Sequence, residues 1–520
     1  MSTPLLLMGL SMIWALLIIN LTTDIVAKYI FIASIILILL NFLLIRGGIL
    51  PIENKTLSLD KSKNKSVNMI GNNSVLVSLI SIAIITLSFI LKTELIYKPI
   101  VKMEGTTQHI TGEIIKIEPQ KFTIKTDEGY KVRLSSKTFN GQVGDLVDFN
   151  GKIFVLNYQK AKGVYIGTYT YEKIKVTTGN GSIFEDMRIY IKTTIYNHLP
   201  SKYADVLIGM LMGDKTEIED DIYDSFKVTG VVHLLSVSGF HTSLWSMIIY
   251  RQFLRFGLGK RLSSAFAILF ILGFLALTGF ARSTIRASIM LIFFFISKLI
   301  LREADSLNSL GGAATLIVLA DPFAVMDIGF LLSFFSTLGI LLINPKLHKL
   351  QREKLKKYIH NFKIRQKIEG VLAVISVSIS AFIFTLPFMV LFIGEASLIS
   401  PLTNLFVTTF ASFSILLGGV AILVSLIPLI SVFEEPLFLV SGLIVKFIVF
   451  VTEQFSKISF ASAKIGSNYM LITLAAVLFL WGFAFLCKGE KNCNIRLTVI
   501  LSLLILCSSI FTYNMLVFLR

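Results

Sequence analysis

The chain has 520 residues, 54% of them hydrophobic and 16% charged, with a mean hydropathy of +0.77 and a formal net charge of +17. This is too apolar for a soluble enzyme and too long for one small bundle, so an integral membrane protein is expected. Its three cysteines, Cys487, Cys493 and Cys507, lack zinc or redox spacing and suggest no disulfide framework.

Residues 4–21 form an apolar span without basic flanks, followed at once by a second at 26–45, which reads as a membrane helix rather than a cleaved signal. The polar stretch 46–73 carries Lys55, Lys61, Lys63 and Lys65 and is expected in the cytoplasm, because cytoplasmic loops hold an excess of basic residues. A third span, 74–91, then carries the chain outward.

Between about residues 98 and 175, apolar residues alternate with polar ones in short runs such as TGEIIKIE, FTIKTD, YKVRLS and DLVDFNGKI. Such period-two alternation predicts strands. Turn signals at Asp127-Glu128-Gly129, Gly141, Gly144 and Asn150-Gly151 separate about five of them, which suits an OB-like barrel, though an SH3-like barrel reads similarly. Lys121, Lys125, Lys131, Arg133 and Lys137 alternate with Phe122, Tyr130 and Phe139. Cations for phosphates and rings for bases make a single-strand nucleic-acid platform. A core aromatic set beneath a solvated lysine face fits the same pattern.

From 183 to 212 the pattern predicts amphipathic helices broken at Pro200 and lying at the outer interface, leading into the turn Gly213-Asp214-Lys215. Next comes GVVHLLSVSGFHTSLWSMIIY, an apolar segment with His233, Ser236, Ser238 and His241. Polar groups at membrane depth usually face a bundle interior or a wet cavity, which marks this segment as the wall of a pore or pocket. Hydroxyls that glue helices and a hydrogen-bonded histidine are the plainer reading. On a straight helix the two histidines stand about 12 Å apart along the axis and about 80° apart around it, so one metal ion cannot bridge them without an unwound turn, for which Gly239 is the candidate.

Further spans are expected at 231–250, 263–280, 283–301, 306–320, 327–343, 371–393, 402–429, 437–451, 469–486 and 497–518. Alternation from the first basic loop places 251–261, 346–367 and 488–496 inside, and all three are basic. The β domain, His233, the turns 279–286 and 321–327, and Gly394-Glu395 then share the outer side. Arg282 and Arg286 break the positive-inside bias there, four apart on one helical face that could track phosphates. Snorkelling to headgroups, or pairing with Asp321, Asp327 or Glu395, fits them equally. Pro322 and Gly329 interrupt the apolar run as a broken re-entrant turn does.

The expected fold is therefore mainly α, a polytopic helical membrane protein with one small inserted extracytoplasmic all-β (OB-like) domain. Its parts are N-terminal membrane helices at 1–94, the β domain at 95–180, interfacial helices at 181–229 and a transmembrane channel domain at 230–520.

Four blocks in order, HLLSVSGFH after its GDK turn, ARSTIRASIM, LNSLGGAATLIVLADPFAVMDIGFLLSFFSTLGI and TLPFMVLFIGEASLISPLTNLF, resemble the ComEC competence-protein family. The upstream NYQKAKGVYIGTYT is similar to the end of that family's extracytoplasmic module, so the resemblance covers most of residues 30–450. It implies an inner-membrane channel for one strand of transforming DNA, an outer OB-like receptor domain, and an entry path lined by His233, Ser236, Ser238, His241, Arg282 and Arg286. Asp321, Asp327 and Glu395 belong to the same expected lining by their outer position. Many members carry a metallo-β-lactamase-like domain; this sequence has no His-x-His-x-Asp-His run, so no intrinsic nuclease, metal or cofactor is expected.

The functional expectation is uptake of single-stranded DNA across the cytoplasmic membrane during natural transformation. No P-loop motif is present, so the expected partners are an external DNA-receptor protein, a helicase or translocase inside that could dock on the basic 346–367 loop, and a separate nuclease. That loop equally serves as a topology determinant alone. Two rivals remain: an intramembrane hydrolase using Ser238 and His241, for which no oxyanion site can be assigned, and a transporter of an anionic lipid or cell-wall precursor using the two arginines.

Overall fold

The structure, a computed structural model, describes residues 12–13 and most of residues 84–464. The expected spans 26–45, 469–486 and 497–518, most of 4–21 and of 74–91, the basic stretch 46–73 and the three cysteines lie outside the described residues. What is described is a polytopic helical membrane protein with a small inserted β-barrel. Five of its helical segments are long and apolar enough to cross a membrane: Lys260–Leu277, Ile328–Tyr358, Phe362–Leu386, Ser400–Ser425 and Ser431–Ser456. Contacts divide the chain into two units, the first holding the described residues up to Asn197 together with Thr242–Phe330, the second holding His198–His241 and those from Leu331 onward.

In the first unit a helical segment with a π-turn at Thr93–Tyr97 runs into the short helix α1 (Lys98–Lys102) and then the barrel. Its strands are β1 (Thr107–Glu118), β2 (Lys121–Thr126), β3 (Lys131–Ser135), β4 (Leu146–Val155), β5 (Val164–Tyr169) and β6 (Lys175–Thr177). The order β1-β2-β3-β5-β4 closes through a β1–β4 pairing, with β3 and β5 parallel and β6 added beside β4. This is the strand order of an OB fold. β1 serves two neighbours, pairing with β4 over Thr107 to Glu113 and with β2 over Gly112 to Glu118, and a register shift between Ile114 and Lys116 lets it turn the corner. Ile114, Ile124, Val132, Leu134, Val147, Phe149 and Ile166 fill the interior, each worth about 1.5–3 kcal/mol of burial. Asn150-Gly151, expected as a turn, lies inside β4, because neighbours on either side pair with β1 and β5.

The helices of this unit are α2 (Ile183–His198, to Asn197), α5 (Gly239–Arg255, from Thr242), α6 (Lys260–Leu277), α7 (Arg282–Leu299) and α8 (Ser306–Ala320), and it ends three residues into α9 (Ile328–Tyr358). Asp305 caps α8 by accepting from Leu307 N–H and Asn308 N–H. Tyr250, Ala267, Ile271 and Phe295 join α5, α6 and α7 in one core.

The second unit contains α3 (Ser201–Met212), α4 (Asp220–Val228), a 3-10 turn at Val232–Leu235, the rest of α9, α10 (Phe362–Phe392), α11 (Ser400–Ser425) and α12 (Glu434–Ser456), with a two-stranded ribbon of β7 (Glu395–Ser397) and β8 (Ser462–Lys464). Pro200 separates α2 from α3, as expected. The amphipathic expectation holds for α2, whereas Ala204 to Met212 of α3 are buried all round. Ser414 and Ser441 exchange hydrogen bonds between α11 and α12, polar glue of the kind membrane helices use.

Two expectations change here. The 346–367 loop is helix: α9 continues through Pro345 to Tyr358, and α10 starts at Phe362, capped by Asn361. Lys, Arg, Leu and Gln are strong helix formers, so a basic stretch need not be a loop. The expected span 231–250 is not one helix, since Ser236 is extended (φ −126°, ψ 141°) and α5 begins only at Gly239.

Candidate functional site

Alternation sorts the hairpin of β2 and β3 into two faces. Lys121, Lys125 and Lys131 are exposed and Arg133 is half-buried, while Phe122, Ile124, Val132 and Leu134 are buried. Lys125 pairs directly with Lys131, and Thr123 with Arg133, so four cations share one strand pair. The aromatics do not join this face. Phe122 is only 5% exposed and stacks edge-on to Phe139 at 4.8 Å, which corrects its assignment as a base-stacking residue: it alternates with lysine and therefore points inward. Tyr130 also packs on the barrel core, and its phenol is pushed up to about 12 by burial and by the neighbouring Glu128. Lys137 lies outside the described residues.

In the second unit the GDK turn and the HLLSVSGFH stretch pack together. A Cβ on Gly213 would stand 3.3 Å from Val237 N, and Lys215 and His241 both lie within electrostatic reach of His233. His233 is exposed, with Nδ1 3.2 Å from Gly230 O, and the Ser236 hydroxyl donates to His233 O at 3.0 Å. His241 is buried. Ser238 lies outside the described residues. Just before the segment, Gly230 has a left-handed φ of 75°, and a Cβ there would meet Ser400 Cβ at 2.7 Å and Ser397 Cβ at 2.9 Å. That close approach brings the GEASLISP block to the HLLSVSGFH block. Glu395 on β7 completes the junction by pairing with Lys227 at 3.1 Å and accepting from Ser462 at 3.0 Å.

In the first unit Arg282 opens α7, and Arg286 is buried with its guanidinium 5.8 Å from the Phe330 ring centroid. Arg286 therefore does not snorkel. The DPF turn is a 3-10 turn, Pro322–Met326, bounded by two aspartates. Asp321 accepts from Phe323 N–H and pairs with Lys92 at 2.9 Å, whereas Asp327 accepts from Gly329 N–H at 2.8 Å. Phe323 reaches the barrel, packing with Phe89, Tyr97 and Tyr165 at centroid distances of 5.5 to 6.2 Å. The structure thus gathers His233, Ser236, His241 and Glu395 in one unit, and Arg286, Asp321 and Asp327 in the other. Among the described residues no group of His, Cys, Asp and Glu could hold a metal ion.

Four residues escaped the sequence reading. Lys92 stood at the end of an expected span and Lys227 three residues before Gly230, so their charge at a boundary was a usable signal. Arg188 and Phe323 had none, because their contacts are with segments far along the chain.

The family model described as Competence protein matches residues 210–491. ComE operon protein 3 of Bacillus subtilis is 25% identical over 236 residues, covering 45% of this chain and 28% of that protein. The uncharacterized protein MG316 homolog of Mycoplasma pneumoniae is 32% identical over 151 residues, 28% of this chain and 37% of its own length. The chain thus spans about a third of the length of these curated relatives. No solved structure matches it. Since the family model covers more than half of the residues, and every one of the GDK, HLLSVSGFH, ARSTIRAS, DPF and GEASLISP elements just described falls within it, the chain belongs to the competence protein family.

Proposed function

We propose that the chain is a cytoplasmic-membrane channel that passes one strand of DNA inward, with its barrel as the receptor on the outer side. The observation that carries this reading is the cationic face of Lys121, Lys125, Lys131 and Arg133 on β2 and β3, the strand pair through which OB folds take up oligonucleotides. Family membership makes DNA the polyanion that these cations suit best. The β2–β3 face holds phosphates rather than bases, since Phe122, Tyr130 and Phe139 pack in or against the core.

Each unit also carries polar groups contributed by the competence blocks. His233 and Ser236 present hydrogen-bonding groups beside Lys215, and Arg282 begins a helix that supplies a second cation at Arg286. For Arg286 to meet a phosphate its contact with Phe330 has to part, so strand entry is coupled to movement in the first unit. In this reading the chain supplies the path and performs no hydrolysis; a receptor outside, a helicase or translocase inside and a separate nuclease supply the rest. Against the anionic-lipid rival stands the barrel face, for which such a transporter has no use.

The test has two arms. A Lys125→Cys variant in intact cells is exposed to a membrane-impermeant maleimide, and labelling without lysis is expected. The full chain in lipid nanodiscs is titrated with labelled single-stranded DNA, and binding is expected to weaken steeply as salt rises. Labelling that requires lysis, or undetectable binding at low salt, removes the receptor role.

A further inference from the structure

The turn between α6 and α7 holds one of the two described non-glycine residues with a left-handed backbone, Phe280; the other is Leu301. α6 closes with Gly279 N–H donating to Ala276 O at 3.1 Å and Phe280 N–H donating to Leu275 O at 3.0 Å, the paired bonds of a Schellman motif. Gly279, at φ 65°, takes the left-handed position that a helix end of this type reserves for glycine. Phe280 then adopts φ 54°, a region a bulky side chain enters only under constraint. The residue at this point normally folds back onto the last helical turn in a hydrophobic contact. Phe280 instead stays 60% exposed.

The constraint comes from α2. Arg188 Nε donates to Leu277 O at 2.6 Å and one terminal nitrogen donates to Ala276 O at 2.8 Å, while the other pairs with Glu185. The guanidinium stands 3.3 Å from where a Gly279 Cβ would lie, so it occupies the space that glycine leaves. One arginine thereby satisfies two carbonyls at the negative end of α6 and holds the turn rigid. Phe280 follows this turn with its ring exposed, two residues before Arg282.

We propose that Phe280 is a base-stacking residue for the single strand, and that Arg188 is the positioning residue that holds its ring outward. The inference rests on the channel reading above and deepens it. The barrel face offers cations without rings, and this turn offers an exposed ring two positions before Arg282 in the chain, the complementary part of a sequence-tolerant strand contact. A lipid anchor is the other use for an exposed ring, yet interface belts favour Trp and Tyr, whose polar tips meet water, and anchoring requires no left-handed backbone.

The full chain in zwitterionic nanodiscs is titrated with an oligo-dT strand and with an abasic strand of equal length and charge. The parent protein is expected to prefer oligo-dT by about tenfold. Phe280→Leu and Phe280→Ala should lose that preference with abasic affinity unchanged, and Phe280→Trp should keep it, with emission quenched by oligo-dT alone. Phe280→Gly relieves the backbone, so it folds at least as well as the parent and must still lose the preference. Arg188→Ala should weaken the preference, and adding it to Phe280→Gly should cost nothing further. If both strands bind equally to the parent, or if Phe280→Leu keeps the preference as a lipid anchor would, the channel reading stands and Phe280 is not its stacking residue. If neither strand binds, the nucleic-acid reading falls and this proposal with it.

Discussion

The β2–β3 hairpin and the turn into α7 use the same residue types in opposite senses. On the hairpin lysines face outward and Phe122 and Phe139 close the core; at the turn Phe280 faces outward while Arg286 lies buried against Phe330. Composition alone would call both regions basic and aromatic. Direction separates their chemistry, since an outward lysine row meets phosphates with little regard for the base, and an outward ring meets a base with little regard for its charge. A strand that visits both would be gripped first by its backbone and then by its bases.

The strongest way to break this comparison is Phe122→Ala. As a core ring its loss should destabilise the barrel by about 3–5 kcal/mol and leave the salt dependence of DNA binding among folded molecules unaltered. A variant of parental stability that binds DNA less well would return Phe122 to the surface. Next in size, replacing Lys121, Lys125 and Lys131 together by alanine should reduce the slope of log K against log salt by roughly 2, because each phosphate contact to a single strand contributes about 0.7. An unchanged slope would remove the hairpin from the interface. Smaller again is Lys92→Ala, which breaks a half-buried ion pair with Asp321 and should cost about 1–2 kcal/mol of first-unit stability. Hydrogen exchange at the DPF turn reads it out, and unchanged protection there would mean the pair holds nothing. The smallest effect concerns pH. The Tyr130 phenol sits above its ordinary value, so its contribution is fully present below about 10 and is lost as pH rises toward about 12. Phenolate absorbance near pH 11 should therefore fall short in the folded chain, and equal titration in folded and unfolded chain would place Tyr130 in solvent.

Period-two alternation was enough to reveal the barrel, because a strand with one buried face writes its burial into its sequence; the OB-like choice followed from turn spacing, and closure of β1 onto β4 decided it. The helical spans were legible to within a few residues at 306–320 and 263–280 for the same reason, an apolar run of bounded length. Legibility failed where local chemistry is overruled by distant partners. The basic stretch after Pro345 looked like loop and is helix, while His233 looked helical and sits on a 3-10 turn that follows Gly230, where Ser397 and Ser400, 167 and 170 residues further along the chain, pack close. Nothing near Arg188 announces that it caps α6, and nothing near Phe323 announces that it packs against Tyr165.

The amino-acid order by itself determined that this is a helical membrane protein with one β insertion, that basic and aromatic residues are interleaved along two neighbouring strands of the insertion, and that the competence blocks occur in their order. Those properties are carried by hydrophobic period and composition, which act over a few residues. Which rings face solvent, which arginine is buried and which blocks touch were decided only in three dimensions, because each depends on contacts closed between segments tens to hundreds of residues apart. That is why Phe122 is buried and Phe280 exposed, although both are phenylalanines near basic residues in the sequence.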